Sequence, residues 1–352
     1  MNPPPGGGSP SRPQSVARKV LKILYIILAV IAAMIVLLYC VYKLLAKEPT
    51  PTQPPSVTPS AENSLPVSQN PEVTDTPSPG QQVSRAHERK PYCYTFLLVA
   101  TDQVSGSTDT IMVLTYDTVN QTVGLVSIPR DTLVNTGSLR INSLYHEGIE
   151  TLERCVSDLL GIPIDYHVII DIEGFVELVD LLGGVEFDIP VHMSYDAPDQ
   201  DLRIHFEPGL QHLTGEEALL VCRLRKNSDG TIPYPDSDIG RTRTQQQLLA
   251  AIAKKALANP QNLPSYVEII ADTVDTNLSF REMLWFVEPA LGFDLETGLS
   301  TATLPGNGEV SYKGLDWLYQ LYPDEVLDIV NTMLNPYTEP LEPDELNIFE
   351  VE

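Results

Sequence analysis

The sequence predicts an α/β domain with a central, mostly parallel or mixed sheet, set behind a single membrane span and a proline-rich linker. Three observations carry this reading. Short apolar, β-rich runs alternate with amphipathic stretches of helical period, the pattern of strands connected through helices. Ahead of them, Ile23 to Tyr42 form 20 consecutive residues without a formal charge. Proline is concentrated early: 14 of the 30 prolines fall in the first 80 residues, which marks a spacer and not a core.

Residues 1–19 read as a short cytoplasmic tail rich in Pro, Gly and Ser. A transmembrane helix is expected over 20–46, because ~20 residues at a rise of ~1.5 Å cross the ~30 Å hydrocarbon core. A cleaved signal peptide has a shorter apolar run of ~7–15 residues, and no small-x-small cleavage site follows here. Arg12, Arg18, Lys19 and Lys22 precede the span with no acidic residue among them. The positive-inside rule then puts the N-terminus in the cytoplasm and the rest of the chain outside. Residues 47–90, with stretches such as "EPTPTQPPSVTPS", have little to bury. They are expected to form a disordered, semi-extended tether that holds a domain off the membrane surface.

The folded domain is expected over 91–338. Strand-like runs are "YCYTFLLVA" (92–100), "TIMVLTYD" (110–117), "TVGLVSIP" (122–129) and "HVIIDI" (167–172). In "ETLERCVSDLLG", Leu152, Val156, Leu159 and Leu160 share one helical face and Gly161 ends the helix. "EGFVELVDLLGG" repeats the pattern before Gly183. Thr214 with Glu217, and Ser279 with Glu282, are capping boxes that open two further helices. Residues 241–259 and 323–335 read as helices. Residues 339–352 are acidic and read as a frayed tail.

Charge excludes one class of function. Residues 1–47 hold six Lys/Arg and no acid, so the remaining chain sets 16 Lys/Arg against 47 Asp/Glu, a net −31. A domain that acidic does not bind nucleic acid through a general basic field, and any anion must be caught by a few local arginines. Four cysteines are too few for a disulfide scaffold, and no C-x-x-C or H-E-x-x-H zinc signature occurs. Cys93, Cys155 and Cys222 lie beyond the span; two fall in core-like segments, so buried free thiols are expected.

Three polar clusters stand out. Asp102 and Asp109 flank a Gly/Ser/Thr-rich loop between two strands. Arg130-Asp131 follows a strand directly in "SIPRDT". Arg223 and Arg225 in "VCRLR" precede Asp238, Arg241 and Gln245 in "DSDIGRTRTQQQ". Arginines beyond strand ends can grip phosphate bidentately, and loop carboxylates can hold a hard divalent cation; together they suit phosphoryl transfer. Each cluster also has a plain structural reading. Arg130-Asp131 can be a strand-end ion pair, and Arg223 and Arg225 a solvated helix end. Asp102 and Asp109 can be turn residues, and Asp238 a helix cap.

The same residues carry a resemblance. "FLLVATD", "STDTIMVLTYD", "VSIPRDT", "RINSLYHEG", "DYHVIIDIEGFVELVDLLGGVEFDIP", "EPGLQHLTGEEALLVCRLR" and "DSDIGRTRTQQQLLAAI" occur in that order over about residues 95–258. This ordered set resembles the LytR-CpsA-Psr family of membrane-anchored cell-wall proteins. The resemblance implies a three-layer α/β/α sandwich with a long apolar pocket for a polyprenyl chain. It implies transfer of a glycopolymer, such as teichoic acid or capsule, from undecaprenyl diphosphate to peptidoglycan with Mg²⁺ (or Mn²⁺), in a Gram-positive-type bacterium. Asp102 and Asp109 match the metal-linked aspartates. Arg130, Arg223, Arg225 and Arg241 match diphosphate arginines, with Asp131, Asp238 and Gln245 beside them. Asn142 and Tyr145 match pocket-shaping positions. Asp109 is expected either to orient or deprotonate the acceptor hydroxyl, or to ligate metal. Two positions depart: Ser107 and Thr244 stand where the family has arginine, and Arg243 is one residue out of step, ~100° around a helix. The alternatives are a non-catalytic lipid- or glycan-binding wall protein and a lipid pyrophosphatase using water.

Overall fold

The computed structural model describes residues 34, 41–52, 87–101, 108–197, 202–236 and 238–351, without the side chains of Asp109 and Asp272. The chain divides into two units, residues 1–48 and 49–352. In the first, residues 41–45 are helical, and most of the expected 20–46 span lies outside the described residues. Among the described residues no helix is long and apolar enough to cross a membrane.

The second unit is built on a six-stranded mixed sheet. Its strands are β1 (Cys93–Thr101), β2 (Thr108–Asp117), β3 (Thr122–Ile128), β4 (Tyr166–Asp171), β9 (Val274–Thr276) and β10 (Leu299–Thr303), in the order β10-β3-β2-β1-β4-β9. β1, β2 and β3 form an antiparallel meander, while β4 joins β1 and β10 joins β3 in parallel. Strand alternation sorts the side chains to two faces. Leu97, Val99, Ile111, Val113, Val126 and Ile128 face one core. That core is covered by α1 (Ile149–Leu160), through Leu152, Val156, Leu159 and Leu160, and by α7 (Pro323–Ile329) with its π-helical extension Val330–Leu334. Burying each such Leu, Ile or Val contributes about 1.5–3 kcal/mol over leaving it exposed.

The opposite face carries Tyr94, Phe96, Tyr116 and Tyr166, which meet Trp285 and Phe286 of α6 (Phe280–Ala290) edge-on and tilted. Farther along, Leu98, Met112 and Ile170 lie under α2 (Ile172–Leu181), α3 (Gly215–Arg223) and α4 (Asp238–Leu257). The helices on both faces make the expected three layers. Both capping boxes form, and Gly161 ends α1 in the left-handed region at φ 68°. Gly124 of β3 has no room for a side chain: a Cβ there would sit 2.0 Å from the Met333 carbonyl oxygen.

Three two-stranded ribbons surround this frame. β5 (Val185–Ile189) pairs with β8 (Gly209–Leu213), and β6 (Met193–Ala197) with β7 (Leu202–Phe206). β11 (Gly306–Tyr312) pairs with β12 (Leu315–Leu321). A last helix, α5 (Leu263–Thr273), precedes β9.

Two expectations about the flanks need correction. The ends of the 47–90 linker are docked, not loose. Asp165, its side chain fully buried, accepts from Thr52 N (2.6 Å), Thr95 N (2.8 Å), Thr95 Oγ1 (3.0 Å) and Arg89. Arg89 also donates to the Thr52 carbonyl at 2.9 Å, and Tyr166 donates to the Thr50 carbonyl at 3.1 Å. A buried carboxylate needs such a full set of donors, and the linker ends supply two of them. The acidic C-terminal segment is likewise packed. Leu341 is buried, Leu346 and Ile348 pack on the core, and Arg89 bridges to Tyr337. Its apolar residues outweigh its charge because the core edge beside α7 would otherwise face water.

Candidate active site

The site gathers at the carboxyl ends of β1 and β3 and at the junction of α3 with α4. The β2–β3 register pairs Ile111 with Ile128, so Asp109 of β2 and Arg130 just beyond β3 lie toward the same end of the sheet. Asp102 and Ser107 lie outside the described residues, as does the side chain of Asp109.

Arg130 and Asp131 turn sharply after β3. The Arg130 Nε lies 3.8 Å from Asp131, and the Arg130 carbonyl accepts from Asn142 N at 3.2 Å. Asp131 also accepts from Arg140 at 2.8 Å, and Arg140 donates its other arm to the Asp316 carbonyl at 2.7 Å. Asp131 is therefore a shared counter-ion that fixes two guanidiniums. Asn142 is buried, and Tyr145 packs against the main core with its phenol pKa raised by burial and by Asp275.

Arg223 ends α3, and Arg225 follows the extended Leu224; both are exposed. Arg241 differs: it is 4% exposed and pairs with Asp238 at 2.8 Å. Asp238 is the first residue of α4, so it supports the helix start from within the first turn. Gln245, one turn on from Arg241, donates to the Cys222 carbonyl at 3.2 Å and accepts from Thr110 Oγ1 at 3.3 Å, tying α4 to α3 and β2.

Arg223, Arg225, Arg241 and Gln245 line a cavity of about 660 Å³, while Arg130 and Asp131 are not among its lining residues. Its mouth carries Arg223, Arg225, Lys226 and Arg241, and among the described residues no carboxylate lines it. Inward the lining turns apolar, through Ile172, Leu202, Ile204 and Leu219. An adjoining recess of about 150 Å³ continues between Leu98, Met112, Ile170, Phe175 and Leu249. Cys222 lines both, and burial pushes its thiol up to about 12 against the pull of Arg241. Cys93 and Cys155 are also free, with burial the main cause of thiol pKa values near 11.

Arg243 is turned away from this cavity. It pairs with Asp236 at 2.6 Å and is 56% exposed along its side chain. Thr244 is buried and donates to the Gly240 carbonyl at 3.0 Å. Gln246 points inward to Ser127 Oγ (2.8 Å) and the Ala302 carbonyl (2.6 Å). The one-residue offset therefore separates cavity-facing from solvent-facing arginine.

Residue-level reading did not assign Arg140, Lys226 or Tyr319. Lys226 extends the Arg223–Arg225 run and was visible as charge; Arg140 opens "RIN" without a local signal of its role. Tyr319 binds the Asp131 carbonyl through its N–H at 2.9 Å, a contact across nearly 190 positions that no spacing announces. The expected Mg²⁺ (or Mn²⁺) would fall to Asp102 and Asp109. Among the described residues no three His, Cys, Asp or Glu side chains converge to hold a metal.

Comparison with known proteins agrees with this architecture. Residues 63–335 match the LytR_cpsA_psr family. A polyisoprenyl-teichoic acid–peptidoglycan teichoic acid transferase of Bacillus subtilis, TagV, is 33% identical over 67% of this chain, a match spanning 62% of that relative. TagU of Bacillus mycoides, with the same transferase designation, is 30% identical over 74% of this chain and 83% of its own length. The crystal structure of B. subtilis TagV superimposes with a TM-score of 0.59 at 27% identity, covering 68% of this chain and 95% of that one.

Proposed function

The chain belongs to the LytR-CpsA-Psr family, and we propose that it is a membrane-anchored phosphotransferase that moves an anionic glycopolymer from undecaprenyl diphosphate to peptidoglycan. The observation that carries this reading is the cavity: an apolar interior under a mouth of four cations, in a chain of net charge −25. Such a site suits an amphiphile with a greasy tail and a multiply charged head. The domain lies outside the cell, and residues 20–46 anchor it.

The lipid tail occupies the apolar interior and the diphosphate lies among Arg223, Arg225, Arg241 and Arg130. An acceptor sugar hydroxyl attacks the glycan-bearing phosphorus. The new P–O bond forms as the bond to the lipid phosphate breaks, and lipid monophosphate leaves. The guanidiniums offset charge on the transferring group and the leaving phosphate. Gln245 holds the α3–α4 junction, and Asp131 with Arg140 holds Arg130. Asp109, at the same end of the sheet as Arg130, is the group proposed to orient the hydroxyl or take its proton. A divalent cation on Asp102 and Asp109 would supply further charge neutralisation.

The test uses the full-length protein with labelled undecaprenyl-diphosphate glycan and peptidoglycan oligomers, with and without Mg²⁺. Metal-dependent label on the oligomer is expected. The second reading, a lipid-binding protein without catalysis, draws on Thr244, which is buried where the family carries a cation. Lipid binding without transfer across several glycans would establish it.

A further inference from the structure

We propose that Trp317 is the platform on which a sugar ring of the acceptor glycan stacks beside Arg130; this rests on the transferase reading. Trp317 is 70% exposed and sits in the left-handed region at φ 61°. A bulky residue there is a genuine outlier, and a wet indole buries nothing in return. The β11–β12 pairing explains how it is presented. Register passes from Val310–Leu318 to Tyr312–Leu315, so Asp316 and Trp317 together oppose the single Ser311. This is a β-bulge, a device that re-aims a side chain and that clusters beside active sites. Ser311 Oγ pins it by donating to Asp316 Oδ1 at 2.6 Å.

The bulge is bolted to the reactive loop. Arg140 spans from Asp131 to the Asp316 carbonyl. Tyr319 N donates to the Asp131 carbonyl, and Leu133 N donates to the Tyr319 carbonyl at 2.8 Å. These make a parallel bridge between Thr132 and Tyr319, and Arg140 ties Asp131, the neighbour of Arg130, to Asp316, the neighbour of Trp317. An indole face beside the reacting phosphate suits a pyranose, whose C–H face is apolar while its hydroxyls stay wet. The surroundings disfavour an anionic bilayer: Glu309, Asp316, Asp324 and Glu325 flank the ribbon, and Lys313 rests 5.0 Å from the Tyr312 ring. The same acids repel the anionic donor polymer, which leaves this side of Arg130 to the acceptor.

The chain has only two tryptophans, and the other, Trp285, packs in the aromatic cluster, so fluorescence reads Trp317 directly. The full-length chain in detergent is titrated with lipid-free peptidoglycan glycan oligomers. A saturable emission change is expected, absent in Trp317→Phe. In the transfer assay Trp317→Ala raises the acceptor KM roughly tenfold, with kcat and donor affinity unchanged, and Trp317→Phe stays within about threefold. Trp317→Gly suits the positive φ and loses the ring, so a raised acceptor KM there is not a folding defect. An unaltered emission with glycan, or a change only with anionic lipid vesicles, overturns the proposal. Failure of the wild-type chain to transfer any label would instead sink the transferase reading, while the glycan titration still decides Trp317.

Discussion

Arg241 and Arg243 are two positions apart in sequence and opposite in consequence. Arg241 is 5% exposed along its side chain, lines the cationic mouth and touches Asp238 at 2.8 Å. Removing one pre-positioned donor of this kind costs about 2–4 kcal/mol of transition-state stabilisation, roughly 30- to 1,000-fold in kcat/KM. Asp238 is 44% exposed, so water takes up its lost partner and stability falls by about 1 kcal/mol or less. Arg243 is 56% exposed and pairs with Asp236 outside the cavity. Arg243→Ala should therefore change activity less than about threefold and stability by at most ~1 kcal/mol. Thr244→Arg restores the family's residue type at a site with no room for it: Thr244 is 2% exposed and hydrogen-bonded to the Gly240 carbonyl. Burying a long charged side chain there should destabilise by about 3 kcal/mol with no gain in transfer. The assay is transfer of labelled glycan alongside thermal melts. Equal losses from Arg241→Ala and Arg243→Ala, or a more active Thr244→Arg, would refute the reasoning.

Other predictions concern the frame. Asp165→Ala strips one buried acceptor from four donors, and should cost about 3–5 kcal/mol, lowering Tm by roughly 6–20 °C. Thr52→Pro removes a single donor and should leave Tm within about 6 °C while exposing 49–52 to protease; a silent Asp165→Ala would contradict the docked linker. His167 has its pKa raised, first by the hydrogen bond its Nδ1 donates to Glu153 at 2.8 Å and further by the negative charges of Glu153, Asp275 and Glu150, against the opposing effect of burial. Its stabilisation is full below the unfolded value of about 6.5 and is lost as pH rises through the folded value, so Glu153→Gln should flatten Tm in that window. Cys93, Cys155 and Cys222 should resist maleimide at pH 7.5 in the native chain and react once it is unfolded, as their burial and raised pKa values require.

Much of the sheet was legible because its strands are buried on both faces. "YCYTFLLVA" and "TIMVLTYD" are continuous apolar runs, and each became a strand within two residues of the expected limits. Helices with caps were equally visible, since Thr214–Glu217 and Ser279–Glu282 state their own starts. The ribbons were not. β5 alternates apolar and polar over only five residues, and β8 (GLQHL) does not alternate at all, so neither gives a period-2 signal that stands out beside helical neighbours. The linker ends escaped for another reason: Thr52 and Arg89 look like tether until Asp165, over 70 residues from either, asks for donors. At the site, Arg223, Arg225, Arg241 and Gln245 line one cavity, and Arg130 and Asp131 do not line it. What sequence could not supply was facing: nothing in "RTRTQQQ" says that Arg241 and Gln245 look into the cavity while Arg243 looks out and Thr244 and Gln246 look into the protein.

Under the proposed transferase function, that sorting also explains how so acidic a chain can handle an anionic donor. Charge acts here at two ranges. Beyond residue 47 the chain carries −31, and at ~0.15 M salt that field reaches about 8 Å from the surface. It disfavours loose contact with a polyanion along most of the surface. Within the mouth, Arg223, Arg225, Lys226 and Arg241 act by contact, where Arg241 in particular is shielded from salt by burial. A head group is held only when it is seated, and the polymer behind it is held nowhere else. A uniformly basic surface would bind the polymer along its length and retain product as firmly as donor. In the proposed reaction, clustering four cations at one mouth makes affinity depend on the diphosphate, so cleavage to a diester removes much of what was gripped.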